Sequence, residues 1–265
     1  MLLALTRAVP HSIDRCELTH LAREPIDYAR AVTEHDEYEH CLERLGCRVM
    51  RLPDLPDHPD CVFVEDAAVV FDRVAVIARP GAASRRGEVA SVISALHPHR
   101  PLAFIDASAT LDGGDVLVTG RRVFVGVSGR TNPEGVRQLA AIVARYGFET
   151  IPVDVTGCLH LKSAATVARP CESRDGKGDV LVVNPDWVDV SVFKNVDVID
   201  VDPAEPAAAN VLALGGRVLC AAEHTRTRAR LEAAGLQTVS VPAGELAQAE
   251  GGLTCGSLIF EAANS

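Results

Sequence analysis

Apolar positions along this chain follow two rhythms. Short runs that are apolar or alternating predict strands, and stretches with an apolar residue every third or fourth position predict helices. LLALTRAVP (2–10) predicts a first strand ending at Pro10, and the polar, irregular segment 11–25 reads as a surface loop. Over 27–45, Tyr28, Val32, Tyr38, Cys41, Leu42 and Leu45 share one helix face, and Gly46 can end that helix. Strands are predicted at 47–53, 61–71 and 73–80, the last two joined by a very short turn at Asp72. A helix at 85–97 and a strand at 101–106 come next. The span 115–127 reads as a hairpin turning near Gly120, followed by a helix over 134–146 with Asn132 as cap and Pro133 at its start, then a strand at 148–153. Further strands fall at 179–185 and 195–201, a hairpin at 208–221 turning on Gly215-Gly216, a helix at 225–234, and strands at 236–242 and 257–260.

An internal echo runs through this pattern. RLGCRVMRLP, RYGFETIP and AAGLQTVSVP each join a helix end to Gly, then to a short strand closing on Pro. Gly supplies a left-handed cap, and Pro is expected to bar further strand pairing. Helix-Gly-strand units separated by hairpins point to a repeated ββαβ module within a single domain spanning 1–265.

Composition narrows the class. Bulky aromatics make up only 4% of the chain, so the core must be built from Ala, Val, Leu and Ile. A net charge of -10 argues against nucleic acid or an anionic membrane as partner, because no basic patch is available to release counterions. It suits a small cationic ligand. No apolar run approaches the length of a membrane span, and no signal segment is visible, so a cytoplasmic location is expected. The eight cysteines show no paired spacing and read as reduced thiols, most of them small buried hydrophobes.

Four polar clusters could carry chemistry. In DCVFVEDAAVV, Glu65 and Asp66 interrupt an apolar run. On a strand they would point to opposite faces, and a buried carboxylate needs a compensating cation, which a ligand could supply. The plain alternative is a strand ending in a polar turn. Asp112-Gly-Gly-Asp115 is either an acidic surface turn or a place of close backbone approach. His160, in CLHLKS, is either a satisfied core residue or a proton carrier. Cys255, between Thr254 and Gly256, is open to close approach, and neighbouring N–H groups could face a developing anion. Cys, His and an acid are the minimal set for covalent catalysis. The same set lacks the closely spaced ligand pairs of a tetrahedral zinc site, so no metal is expected.

Taken together and in order, DCVFVEDAAVV, ARPGAASRRGEV, LDGGDVLVTGRRVFVGVSGRTN, LHLKS and LTCGS closely resemble the dimethylarginine dimethylaminohydrolase family of the guanidino-group modifying superfamily. The resemblance covers nearly the whole chain. It implies an α/β fold of the pentein type, a five-bladed α/β-propeller of repeated ββαβ modules around a central active site. It implies hydrolysis of N-methylated arginine to citrulline and a methylamine, with no cofactor. Cys255 would be the nucleophile and His160 the general acid and base. Asp112, where many relatives have Glu, would orient His160. Asp66 would hold the guanidinium nitrogens, with Asp60 and Glu65 lining the same pocket. Arg85 and Arg130, otherwise readable as solvated loop charges, would bind the substrate carboxylate. Leu18, on a lid, and the carbonyl near Ala249 would meet the α-amino end. A homodimer is compatible with the acidic surface and open blade edges. Two rivals are a deiminase of free arginine, disfavoured by Lys162 where such relatives carry a second acid, and a non-catalytic binder of arginine derivatives. A redox sensor acting through Cys255 is the third.

Overall fold

The computed structural model describes residues 1–171, 176 and 178–263. Its strands form five three-stranded sheets among the described residues. The first contains β1 (Leu2–Arg7) and β2 (Arg48–Leu52), linked by helix α1 (Tyr28–Arg44). The second contains β3 (Ala68–Val70), β4 (Ala75–Ile77) and β5 (Leu102–Phe104), with α2 (Val89–Leu96) between β4 and β5. The third contains β6 (Val116–Thr119), β7 (Arg122–Val127) and β8 (Glu149–Asp154), with α3 (Pro133–Val143) crossing over. A short helix α4 (Leu161–Ala164) opens the fourth, made of β9 (Ala165–Arg169), β10 (Val180–Val183) and β11 (Asp197–Asp200). The fifth holds β12 (Leu212–Leu214), β13 (Arg217–Ala221) and β14 (Thr238–Val241) around α5 (Thr225–Ala233). After α6 (Gly244–Ala247), β15 (Leu258–Glu261) pairs antiparallel with β1 and completes the first sheet.

The five sheets share one plan. The middle strand pairs antiparallel with one neighbour and parallel with the strand that follows it in sequence. The repeat read from three joints therefore extends to all five sheets. Gly46, Gly147 and Gly235, the three glycines of the echo, all have positive φ, where a side chain would be strained. Pro53 and Pro242 lie just past the ends of β2 and β14. Pro152 departs from expectation: it sits inside β8, opposite Val125. β8 pairs only with β7, so the missing N–H falls on an edge where no ladder bond is lost.

The strand predicted at 61–71 is also corrected. Only Ala68–Val70 is strand, and Val64–Ala67 is a 3-10 turn. There the Glu65 N–H donates to the Cys255 carbonyl and the Asp66 N–H to that of Phe63, bonds that replace a ladder. The helix at 85–97 likewise begins as a 3-10 turn over Ala83–Glu88. β9 was missed, because AATVAR carries too few large apolar residues to stand out.

Both faces of the middle strands are largely buried. On β1, Leu3 and Leu5 join a cluster with Ala75, Ile77, Leu258 and Phe260, while Ala4 on the opposite face joins Leu219 and Val241. Apolar clusters likewise connect the second sheet to the third, the third to the fourth, and the fourth to the fifth. Each large side chain so buried contributes about 1.5–3 kcal/mol. No helix is long and apolar enough to cross a membrane among the described residues.

Candidate active site

Chemistry-bearing residues collect at one recurring place in the plan, just ahead of the first strand of each unit. Glu65 and Asp66 lie on the turn before β3, Asp112 and Asp115 at the turn before β6, His160 before α4 and β9, Asn210 before β12, and Cys255 before β15. The turns converge because the strands they precede are packed side by side. Cys255, His160, Asp66, Asp60, Arg85, Arg130 and Ala249 line one narrow hollow.

His160 is held between carboxylates. Its Nε2 lies 3.1 Å from Asp112 Oδ2 and its Nδ1 3.7 Å from Asp66 Oδ1. Burial alone would favour neutral imidazole, but Asp66, then the Asp112 hydrogen bond and Asp115, prevail and raise its pKa to about 9. The resting side chain is therefore imidazolium at neutral pH. Asp112 is fixed in turn: the Gly81 N–H donates to its Oδ1 at 2.8 Å, and its own N–H donates to Thr131 Oγ1. The shorter side chain thus reaches His160 from a firmly anchored backbone. Asp115, singled out only as part of an acidic turn, accepts the Leu161 N–H at 2.9 Å and the Ser128 hydroxyl at 2.7 Å, tying the residue after His160 to the preceding sheet. Burial raises its pKa to about 6.

Asp66 takes the Gly114 N–H on Oδ1 and Arg85 Nη1 on Oδ2, at 3.0 and 2.5 Å. Burial works against its charge, but His160 and Arg85 hold its pKa below the usual carboxylate value. Arg85 also donates to both oxygens of Glu88 and to the carbonyls of Asp60 and Phe63. Its role in the structure is thus first an internal one, and only one Nη1 hydrogen is left over after these bonds. Arg130 differs: its guanidinium makes one long bond, Nη2 to Thr19 Oγ1 at 3.4 Å, among the described residues. Asp60 accepts the Glu17 N–H on both oxygens, and burial raises its pKa.

The Cys255 thiol accepts the Gly252 N–H at 3.4 Å. Burial, then the carboxylates of Glu65 and Asp66, push its pKa up to about 12. At neutral pH it is therefore a neutral thiol.

One sequence-based placement changes. Glu65 does not line this hollow. Its carboxylate turns toward Lys162 Nζ at 2.6 Å and the Thr254 hydroxyl at 2.7 Å, and it lines a separate cavity with those residues. On a 3-10 turn, successive residues point about a third of a turn apart, so Glu65 and Asp66 part company. Leu18 is half-buried against the apolar cluster around Cys255 and Ala249, while its neighbour Glu17 lines the hollow itself. The segment carrying Leu18 is held by Glu250, whose Oε1 accepts the N–H groups of Thr19, His20 and Leu21. Glu88, Glu250 and Asn210 went unnoticed in the sequence. Glu88, three residues after Arg85, carried a readable pairing signal, and the other two carried none.

Asp66, Asp112 and His160 each offer a ligand atom, all within 4.8 Å of one another, and could in principle hold a metal ion. Their oxygens already take N–H donors from Gly114, Gly81 and Arg85, which fits a clamp on imidazolium better than a cation cage.

Comparison with known proteins agrees with this geometry. Residues 14–162 match the family model described as N,N dimethylarginine dimethylhydrolase, eukaryotic. The chain is 38% identical over 245 residues to an N(G),N(G)-dimethylarginine dimethylaminohydrolase of Streptomyces coelicolor, covering 90% of this chain and 89% of that one. It is 31% identical over 251 residues to the Pseudomonas aeruginosa enzyme of the same name, covering 94% of each. A solved structure of the Pseudomonas aeruginosa protein, a Cys-to-Ser variant complexed with citrulline, superposes with a TM-score of 0.87 at 30% identity, covering 97% of this chain and 98% of that one. The chain belongs to the dimethylarginine dimethylaminohydrolase family of the pentein fold, hydrolases that act on guanidino C–N bonds.

Proposed function

We propose that the protein hydrolyses N-methylated arginine, asymmetric dimethylarginine or monomethylarginine, to citrulline and the corresponding amine through a covalent Cys255 adduct. The observation that carries this reading is the shared hollow: a buried thiol, an imidazolium and an aspartate face one small space. Asp66 holds the guanidinium nitrogens and fixes its plane before the sulfur. Asp60 adds negative charge to the same wall. Arg130, with most of its donors uncommitted, takes the substrate carboxylate, assisted by the remaining Nη1 hydrogen of Arg85. Leu18 and the carbonyl of Ala249 sit on the α-amino side.

The incoming cation offsets the carboxylates that keep the thiol protonated, so the thiol proton leaves to solvent as substrate settles. The thiolate attacks the guanidinium carbon, forming a C–S bond and a tetrahedral adduct. His160, held in its orientation by Asp112, gives its proton to the departing amine as the C–N bond breaks, leaving a thiouronium. The neutral imidazole then takes a proton from water as the water oxygen bonds to the carbon; the C–S bond breaks as the new hydroxyl gives its proton to the leaving sulfur, restoring the thiol and releasing citrulline. Proton transfer of this kind is worth about a hundred- to ten-thousand-fold. This chain's own residues suffice for every step.

The cyclic succession of apolar clusters, from first sheet to fifth and back, supports a five-bladed propeller with this hollow at its centre. Eight free cysteines suit a reducing, cytoplasmic setting. Open sheet edges leave room for a homodimer.

The test is citrulline formation from a panel of methylated arginines and arginine, with Cys255→Ser alongside. Dimethylamine release from asymmetric dimethylarginine, abolished by Cys255→Ser, is expected. Faster ammonia release from arginine would reassign the protein as a deiminase. Turnover that persists in Cys255→Ser would remove the covalent step.

A further inference from the structure

The most unusual buried charge near the nucleophile is one the reaction does not use. Glu65 stands behind Cys255, not in front of it. Its Oε1 is 2.6 Å from Lys162 Nζ and its Oε2 accepts the Thr254 hydroxyl at 2.7 Å. Asn210 closes the arrangement: its amide donates to the Lys162 carbonyl and to Thr254 Oγ1, and its Oδ1 accepts the Thr254 N–H, with distances of 3.1, 3.1 and 2.9 Å. The Glu65 N–H donates to the carbonyl of Cys255 itself at 3.2 Å. Three turns from three different units thereby hold the nucleophile's backbone and bring one carboxylate near enough to act on its thiol.

A carboxylate at that position opposes thiolate formation, and a cation paired with it offsets that effect. We propose that Lys162 is a positioning residue for the nucleophile: by pairing with Glu65 behind Cys255 it neutralises that carboxylate and keeps it out of the hollow. The inference rests on the reading of Cys255 as nucleophile and adds to it a residue that touches neither substrate nor sulfur. The other charged groups around the thiol are accounted for. Asp66 and His160 form their own pair, Arg85 is bound to Asp66 and Glu88, and Asp60 accepts the Glu17 N–H. Glu250 holds the 19–21 segment, and the Tyr38 hydroxyl meets Ser257 and stays neutral. Arg130 lines the far wall. Among the described residues, Lys162 forms its ion pair with Glu65.

The experiment measures the rate at which a small neutral alkylating agent, iodoacetamide, modifies Cys255 in the free protein across a pH series, followed site by site by peptide mass. Only thiolate reacts at an appreciable rate, so the rate reports its population. Lys162→Met should slow modification of Cys255 by about tenfold at a given pH, equivalent to raising the thiol pKa by about one unit. Glu65→Gln should speed it. The double variant Lys162→Met/Glu65→Gln should recover at least the wild-type rate, because the lysine then has no carboxylate to offset. A merely structural lysine would not be rescued by losing its partner. Equal rates in wild type and Lys162→Met, labelling in neither included, would overturn the proposal, as would a double variant as slow as Lys162→Met. No substrate enters the measurement, so failure of the hydrolase reading leaves its outcome unchanged.

Discussion

At the scale of single residues, the site is a set of opposed shifts. Asp66, which helps lift His160 to about 9, also helps push Cys255 up to about 12, behind burial and Glu65. At neutral pH both groups therefore hold a proton, and in the proposed mechanism a cationic substrate releases the first. The His160 shift also bears on stability. Its folded-state pKa lies above the 6.5 of an exposed imidazole, so its contribution is fully present below pH 6.5 and is lost as pH rises through about 9. Replacing Asp112 by Asn should lower the His160 pKa. The alkaline limb of the kcat profile should then move to lower pH, and the fall in Tm between neutral and alkaline pH should shrink. Superimposable profiles for wild type and Asp112→Asn would contradict the assignment of the 3.1 Å contact as the imidazolium's anchor.

At the scale of elements, close approach of two turns builds the clamp. Gly113 packs against the turn carrying Glu65 and Asp66: a Cβ there would fall 2.0 Å from the Glu65 carbonyl oxygen and 2.8 Å from that of Ala68. Both obstacles are backbone, so neither can step aside. Gly113→Ala should cost about 3 kcal/mol, at the upper end of overpacking penalties, and urea unfolding would measure it. Gly114 serves the chemistry more directly, since a Cβ there would lie 2.7 Å from both Asp66 Oδ1 and His160 Nδ1. The plain reading of this stretch as an acidic surface turn fails on burial: Asp112, Gly113, Gly114 and Asp115 are all enclosed. The segment 17–21 is an element of another kind, exposed over most of its length and fastened through backbone N–H groups to the Asp60 and Glu250 carboxylates.

At the scale of the whole molecule, the first and last described strands meet. β15 pairs with β1 from Leu2 opposite Glu261 to Leu5 opposite Leu258, so β15 is an integral part of the first sheet. Cys255 is positioned by that pairing, because it lies on the turn that leads into β15. Phe260 packs into the cluster between the first two sheets and against His99. Phe260→Ala should lose about 3–5 kcal/mol. For a chain of this size that is a drop in Tm of roughly 10 °C, readable by circular dichroism. Because the same strand aims the nucleophile, turnover at a temperature where the variant is still folded should fall as well; stability loss with unaltered turnover would mean that the turn holds Cys255 without help from β15.

Local pattern alone determined much of this protein. Strand-length apolar runs, helix faces and the Gly46, Gly147 and Gly235 joints follow from the period of the side chains and from φ values that only glycine adopts freely, and both act over a few residues. Residue chemistry was equally legible, since Cys255, His160 and the acids are conspicuous by type, and ordered motifs carried the family resemblance. Tertiary structure alone decided where the acids point. Glu65 and Asp66 are adjacent in sequence, yet one meets Lys162, 97 positions away, and Thr254, 189 away, while the other meets Arg85 and His160. It also decided that Arg85 is chiefly an internal tie and that a weakly apolar segment becomes β9. Such contacts join turns brought together by the packing of distant strands, and their energy depends on burial and partners that no local stretch of sequence contains.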